Sequence, residues 1–190
     1  MPRSPRGASS YRTFYEQLFA RLEAMCGALD PETVFAIAGF DGGGPLNFCT
    51  IGSRSGDPFV TYVSCELAPR EEQQPSPAGR YELLTTCDEE HWVRSVLSGI
   101  GRMSLEVSFG DGHTLDIGAW VAGSEPIQGV LFEQVYATEV DATPYAVLRV
   151  IGITRAEMDY ARERGAEALI RALEHAGVYP RTIVSRPPVL

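Results

Sequence analysis

The sequence predicts an α+β fold, a single domain with a mixed or antiparallel sheet flanked by helices. Three observations predict it. Residues 145–180 read as an apolar strand, a turn and a capped helix. Short apolar runs broken by Gly, Pro, Asp and Ser recur through the middle of the chain, as strands do. A second helical stripe opens the chain. At 190 residues and 44% hydrophobic, it can bury one core.

Residues 1–9 are rich in Pro, Arg, Ser and Gly and are expected to form a disordered tail, leaving one domain over 10–190. A helix is expected over 10–27. Ser9 or Ser10 can cap it, and Tyr11, Phe14, Tyr15, Leu18, Leu22 and Met25 recur at spacings of three and four. Residues 31–40 are apolar and fit a strand or a buried helical turn equally well. Asp41-Gly42-Gly43-Gly44-Pro45 is a firm break. Residues 46–53 and 58–68 read as a hairpin, and the polar, proline-rich 69–78 as a surface loop.

Arg80–Cys87 is a further strand. Residues 89–103 are expected to be a helix capped by Asp88, with Trp92, Val96 and Ile100 inward. Strands are expected over 105–109, 114–122 and 129–138. The last strand, 146–153, is apolar enough to be buried on both faces. A single helix then runs from Thr154 to Ala176. Thr154 and Glu157 have capping-box spacing, Gly165 falls on the buried stripe, and Gly177 and Pro180 stop the helix.

Composition excludes several kinds of chemistry. All 16 basic residues are arginine, so neither a Schiff-base lysine nor a P-loop lysine is available. A net charge of −9 argues against sequence-independent nucleic-acid binding and is compatible with a basic partner, although ordinary solubility accounts for it more readily. No apolar run reaches about 18 residues, so no membrane span is expected. The N-terminus lacks the apolar core of a secretory signal, which makes the cytoplasm the expected location. Cys26, Cys49, Cys65 and Cys87 show no CxxC or metal spacing and read as small buried hydrophobes.

No reactive constellation stands out. His91, His113 and His175 lie on different elements. His113 follows Asp111 in a glycine-flanked loop, which is an ordinary turn or else a polar site at a strand end. Asp41 and its glycines form a flexible loop or an anion cradle. Glu82, Glu133, Glu139 and Asp141 alternate along strands, as on a wet sheet face. The edge of residues 59–68 could accept an extended peptide.

Four ordered blocks resemble the Suppressor of fused family. The first is Thr61-Tyr-Val-Ser-Cys-Glu-Leu-Ala68. The second is Gly79-Arg-Tyr-Glu-Leu-Leu84 with His91-Trp92 and the helix to Arg102. The third is Phe109-Gly-Asp-Gly-His113. The fourth is Val147-Leu-Arg-Val-Ile-Gly-Ile-Thr-Arg-Ala-Glu157 with residues 165–173. Glu66 stands where the family's first block has glycine, and Gly112 is inserted in the third.

The resemblance implies a fold like the N-terminal domain of the animal protein. That protein restrains zinc-finger transcription factors through a peptide added to sheet strands, using a second domain absent from this sequence. Bacterial relatives are thought to be immunity proteins that neutralise toxins. The same resemblance implies a non-enzymatic protein-binding domain with no catalytic residue, cofactor or metal, whose partner is a toxin, and the negative net charge would suit a basic one. Its contacts are expected at Asp41, Tyr62, Glu66, Asp111 and His113, in loops that include 69–78. The alternatives are a small hydrolase using Asp111 and His113, and a peptide-binding regulatory module.

Overall fold

The computed structural model describes residues 6–26, 35–37, 46–51, 57–65 and 67–190. In chain order the elements are α1 (Arg6–Cys26), β1 (Phe35–Ile37), β2 (Leu46–Ile51), β3 (Val60–Cys65), β4 (Arg80–Cys87), α2 (Glu90–Met103), β5 (Thr114–Asp116), β6 (Ile127–Val140), β7 (Thr143–Thr154), α3 (Arg155–Arg164) and α4 (Ala166–His175). Helix α1 therefore starts ahead of the expected Ser10. Residues 31–40 do contain a strand, and β2 and β3 form the expected antiparallel hairpin.

The strands make one sheet in the order β1-β2-β3-β4-β7-β6-β5. Neighbours are antiparallel except β4 and β7, which run parallel at the centre. A parallel pair needs a long crossover, and here α2, β5 and β6 supply it. Central β7 is buried on both faces over most of its length, as its apolar run demands. Its even-numbered residues Ala146, Leu148 and Val150 pack with Trp92, Val96, Leu97 and Ile100 of α2. Its odd-numbered side chains face the opposite way. Val147 packs with Phe14 and Leu18 of α1, and Ile151 and Ile153 pack with Met158, Leu169 and Leu173 of α3 and α4. The sheet is thus the middle of three layers.

Four expectations need correction. First, residues 105–109 form no strand. The Glu106 and Val107 amides both donate to Met103 O, at 2.9 and 2.8 Å, which continues the turn of α2. Phe109 then turns inward and stacks on Phe132 with ring centroids 4.6 Å apart. Second, the strand expected over 114–122 stops at Asp116, whose Oδ1 accepts from Gly118 N at 2.9 Å and turns the chain.

Third, Asp88 does not cap α2. The N-cap is Glu89 without a side-chain bond, and Asp88 Oδ1 instead accepts from Val184 N at 3.1 Å. Fourth, the C-terminal helix is two helices. Gly165 adopts φ 90 and ψ 154, which leaves the helical region and lets α4 turn back onto the sheet. The capping box at Thr154 and Glu157 forms as expected.

The segment after α4 lies in a groove of the sheet made by a missing side chain. A Cβ on Gly152 would stand 2.4 Å from Thr182 Cγ2 and 2.9 Å from Ile127 Cγ2. The space instead lets Gly152 N donate to Thr182 Oγ1 at 2.8 Å. Gly152→Ala is expected to destabilise the protein by about 1–3 kcal/mol, measured as a lower midpoint in urea. An unchanged midpoint would mean that the C-terminal segment is not seated there.

Candidate functional site

The five expected contact residues fare differently. Asp41 and Glu66 lie outside the described residues. Tyr62 is 4% exposed and packs in the core between the sheet and α2, so it offers no surface. β3, where it sits, pairs with β2 on one side and β4 on the other, so the edge expected over 59–68 is closed. Asp111 and His113 are both exposed on the turn before β5.

That turn holds a defined position against β6. Gly112 N donates to Phe132 O at 2.8 Å, and Phe132 N donates to His113 O at 2.9 Å. Asp111 Oδ1 accepts from Gln134 N at 2.8 Å. Asp111 therefore completes the β6 hydrogen-bond ladder, and is not aimed at His113 as a catalytic partner. Neither residue lines the open groove of about 700 Å³ beside α2, whose walls include His91, Arg94, Ser98, Arg102 and Trp120. Among the described residues, no three His, Cys, Asp or Glu side chains cluster as metal ligands.

β6 is a long strand with a short neighbour. It pairs with β7 over its whole length, but β5 covers only Gly129, Val130 and Leu131. The 110–113 turn and Asp111 extend that cover to Gln134. Beyond it, no strand among the described residues pairs with the outer edge of residues 135–140. A bulge between Gln134 and Tyr136 marks where cover ends. Beneath this stretch, Val135 and Tyr136 pack on the α1 cluster, and Thr138 Oγ1 donates to Gln17 Oε1 of α1 at 3.0 Å. The backbone there is supported on one face, and among the described residues its edge is open.

Carboxylates stand at both ends of the open edge. Asp111 is at one end, and exposed Glu139 and Asp141 are at the other. Asp141 and Ala142 make the β6–β7 turn with φ of 51 and 61. Hairpins favour this backbone, although β-carbons disfavour it. Glu133 belongs elsewhere. It accepts from Arg149 Nη1 at 2.8 Å and from the Tyr179 hydroxyl at 2.7 Å on the α4 side of the sheet. Burial, reinforced by that bond to Glu133, raises Tyr179 to about 12, so its hydroxyl stays a donor.

Two polar groups differ from what the sequence suggests. Glu82, expected on a wet face, is 0% exposed. Glu157 is more than a capping residue, since Arg186 forks onto it. For Glu82 a signal existed: Leu84, on the same face of β4, has no reason to be apolar above water.

The Suppressor of fused protein (SUFU) family model matches residues 42–187. Among solved structures, the crystal structure of the Sufu–Fu complex is similar with a TM-score of 0.69 and 12% identity, covering 95% of this chain and 92% of that one. A putative SUFU homolog from Neisseria gonorrhoeae FA 1090 gives 0.66 and 17%, covering 92% and 96%. Drosophila Suppressor of Fused gives 0.60 and 13%, covering 80% of this chain and 44% of that one. At these identities the likeness concerns the fold. No curated protein matches the chain significantly.

Proposed function

Because this chain belongs to the Suppressor of fused family, we propose that it is a non-enzymatic protein-binding domain of the bacterial immunity type, one that neutralises a cognate basic toxin in the cytoplasm. The observation that carries the reading is the open outer edge of residues 135–140, held between Asp111 and the Glu139–Asp141 turn. An extended segment of a partner can add to that edge through main-chain bonds, and arginine or lysine side chains on it would meet carboxylates at both ends. A chain charge of −9 would also steer a basic partner toward encounter.

A protein partner has a precedent in the fold, since one solved relative is a complex of Sufu with Fu. The non-enzymatic reading is supported by Asp111 being engaged with Gln134 N and by the exposure of His113. No described helix is long and apolar enough to cross a membrane.

The test uses the products of the genes that flank this one, each assayed for toxicity. Surface-bound protein should capture the toxic product and abolish its activity at equimolar ratio. The triple variant Asp111→Arg, Glu139→Arg, Asp141→Arg should slow association about tenfold or more and flatten its salt dependence. Binding with unchanged association rate would remove the β6 edge from the interface. No binding to any neighbouring gene product would end the immunity reading.

A further inference from the structure

β2 and β3 place two cysteines together. In the antiparallel register Cys49 stands opposite Val63 and Cys65 opposite Asn47, so the two cysteines are diagonal neighbours on one face of the sheet. Val63 shows which face it is, because it packs with Phe14 and Leu18 under α1. The two sulfurs are 3.0 Å apart, within about 1 Å of a disulfide bond length. Both side chains are half-buried, open enough for a small oxidant. They are therefore not the independent buried hydrophobes that their spacing in sequence suggests.

The two thiols are unequal. The hydrogen bond shared with Cys65 lowers the Cys49 thiol against the opposing effect of its burial. Cys65 is raised, first by that same contact, then by burial and by the nearby Glu82 carboxyl. Cys49 is thus the nucleophile and Cys65 the resolving partner. Cys87 is 1% exposed, belongs to the α2-side core and serves as an internal control.

We propose that Cys49 and Cys65 are a reversible dithiol–disulfide site that responds to hydroperoxides. In the first step the Cys49 thiolate attacks the terminal peroxide oxygen, the O–O bond breaks and hydroxide leaves (alkoxide from an organic hydroperoxide), giving a sulfenic acid. In the second, the Cys65 sulfur attacks the Cys49 sulfur. The S–O bond breaks, and the departing hydroxide takes the Cys65 proton and leaves as water. Two electrons pass from the sulfurs to the peroxide, and an external thiol restores both cysteines.

The bond would staple β2 to β3. Of these strands only β3 is tied to the sheet centre, through β4. The staple closes the segment from Cys49 to Cys65, and the Cys65 end lies beside Ser64, a partner of Glu82. Its formation is independent of what the β6 edge binds.

The test is treatment of the whole protein with an equimolar to tenfold excess of hydrogen peroxide, followed by non-reducing peptide mapping. The expected result is a peptide linking Cys49 to Cys65, a fall in titratable thiols from four to two, and full reversal by dithiothreitol. The thermal midpoint should rise by about 6–10 °C in the oxidised form. Cys49→Ser and Cys65→Ser should each abolish the linked peptide, and Cys87→Ser should leave it intact. A gain of oxygen on Cys49 without cross-linking would overturn the proposal. So would a linked peptide that contains Cys26 or Cys87. The mapping on the unmutated protein decides the matter even if a serine variant folds poorly.

Discussion

Arg186→Ala is expected to lower the free energy of unfolding by about 3–5 kcal/mol, a large part of the stability of a domain this size. Arg186 and Glu157 form a parallel two-bond fork, Nη1 to Oε1 at 2.6 Å and Nη2 to Oε2 at 2.7 Å. The side chains are 5% and 0% exposed, so the pair has left water almost completely. Removing the guanidinium leaves a buried carboxylate without its counter-charge. The same carboxylate accepts from Thr154 N at 2.8 Å and Val189 N at 2.9 Å, so three segments converge on it. They are the end of β7, the first turn of α3 and the C-terminal strap.

Burial alone would raise the Glu157 carboxyl. The Arg186 guanidinium and the two amides outweigh burial and hold it below its ordinary 4.5. A depressed carboxylate adds stability that is present above that value and is lost as pH falls through the lower folded value. Urea titrations should therefore show stability at pH 7, relative to that at about pH 3, to be lower in Arg186→Ala than in the parent, the Glu82 contribution being common to both. Arg186→Met combined with Glu157→Leu should recover part of the loss, because it removes both buried charges together. A loss below about 1 kcal/mol for Arg186→Ala would place the strap in solvent and refute its docking.

Glu82→Ala is expected to cost about as much, roughly 3–5 kcal/mol, for the opposite reason. Here donors are orphaned. The Glu82 carboxyl, under α1, accepts from Tyr15 Oη at 2.5 Å, Ser64 Oγ at 2.5 Å, Leu67 N at 3.0 Å and Ala68 N at 2.8 Å. Among the described residues no arginine joins them. Burial therefore dominates and pushes the carboxyl up to about 7, against the pull of those four donors.

The sign is set by the proton. The folded state holds it more tightly than the unfolded chain does. The resulting stability is present in full below 4.5 and is lost as pH rises through about 7. The difference is worth about 3 kcal/mol. Glu82→Gln keeps the two-sided hydrogen bonding without an ionisable group. It should cost little near pH 5 and should flatten the slope between about pH 5 and 8. Since Glu157 loses its contribution as pH falls below 4.5 and Glu82 loses its own as pH rises above 4.5, these two groups place the stability maximum of the parent near 4.5. An unaltered pH slope in Glu82→Gln would show that Glu82 does not carry this titration.

Legibility in the sequence divides along the range of the forces involved. The limits of β4 from Arg80 to Cys87, the double burial of β7 and the capping box at Thr154 and Glu157 were legible. Each depends on residues within a few positions of one another, or on the plain apolarity of a run. The break at Gly165 was not, because the apolar spacing of Met158, Ala161, Leu169 and Leu173 continues across it. Only the demand that α4 lie on Leu131 and Ile151 opens the helix there.

The candidate sites were less legible still. Asp111 was identifiable as an exposed turn residue. Its role as the last rung beside Gln134 required knowing that β5 is short and β6 long. Tyr62 looked available because alternation in β3 does not say which face a layer will cover, and α2 covers that one. Cys49 and Cys65 meet only through strand register, and Glu157 meets Arg186 only because Gly152 leaves room for the returning chain.

By itself, then, the sequence determined most of the element types, the cap at Thr154 and Glu157 and the negative charge, since local sterics and composition settle these. The tertiary structure alone decided which polar side chains lost their water and which strand edge kept it, because desolvation is imposed by whichever distant segment packs on top.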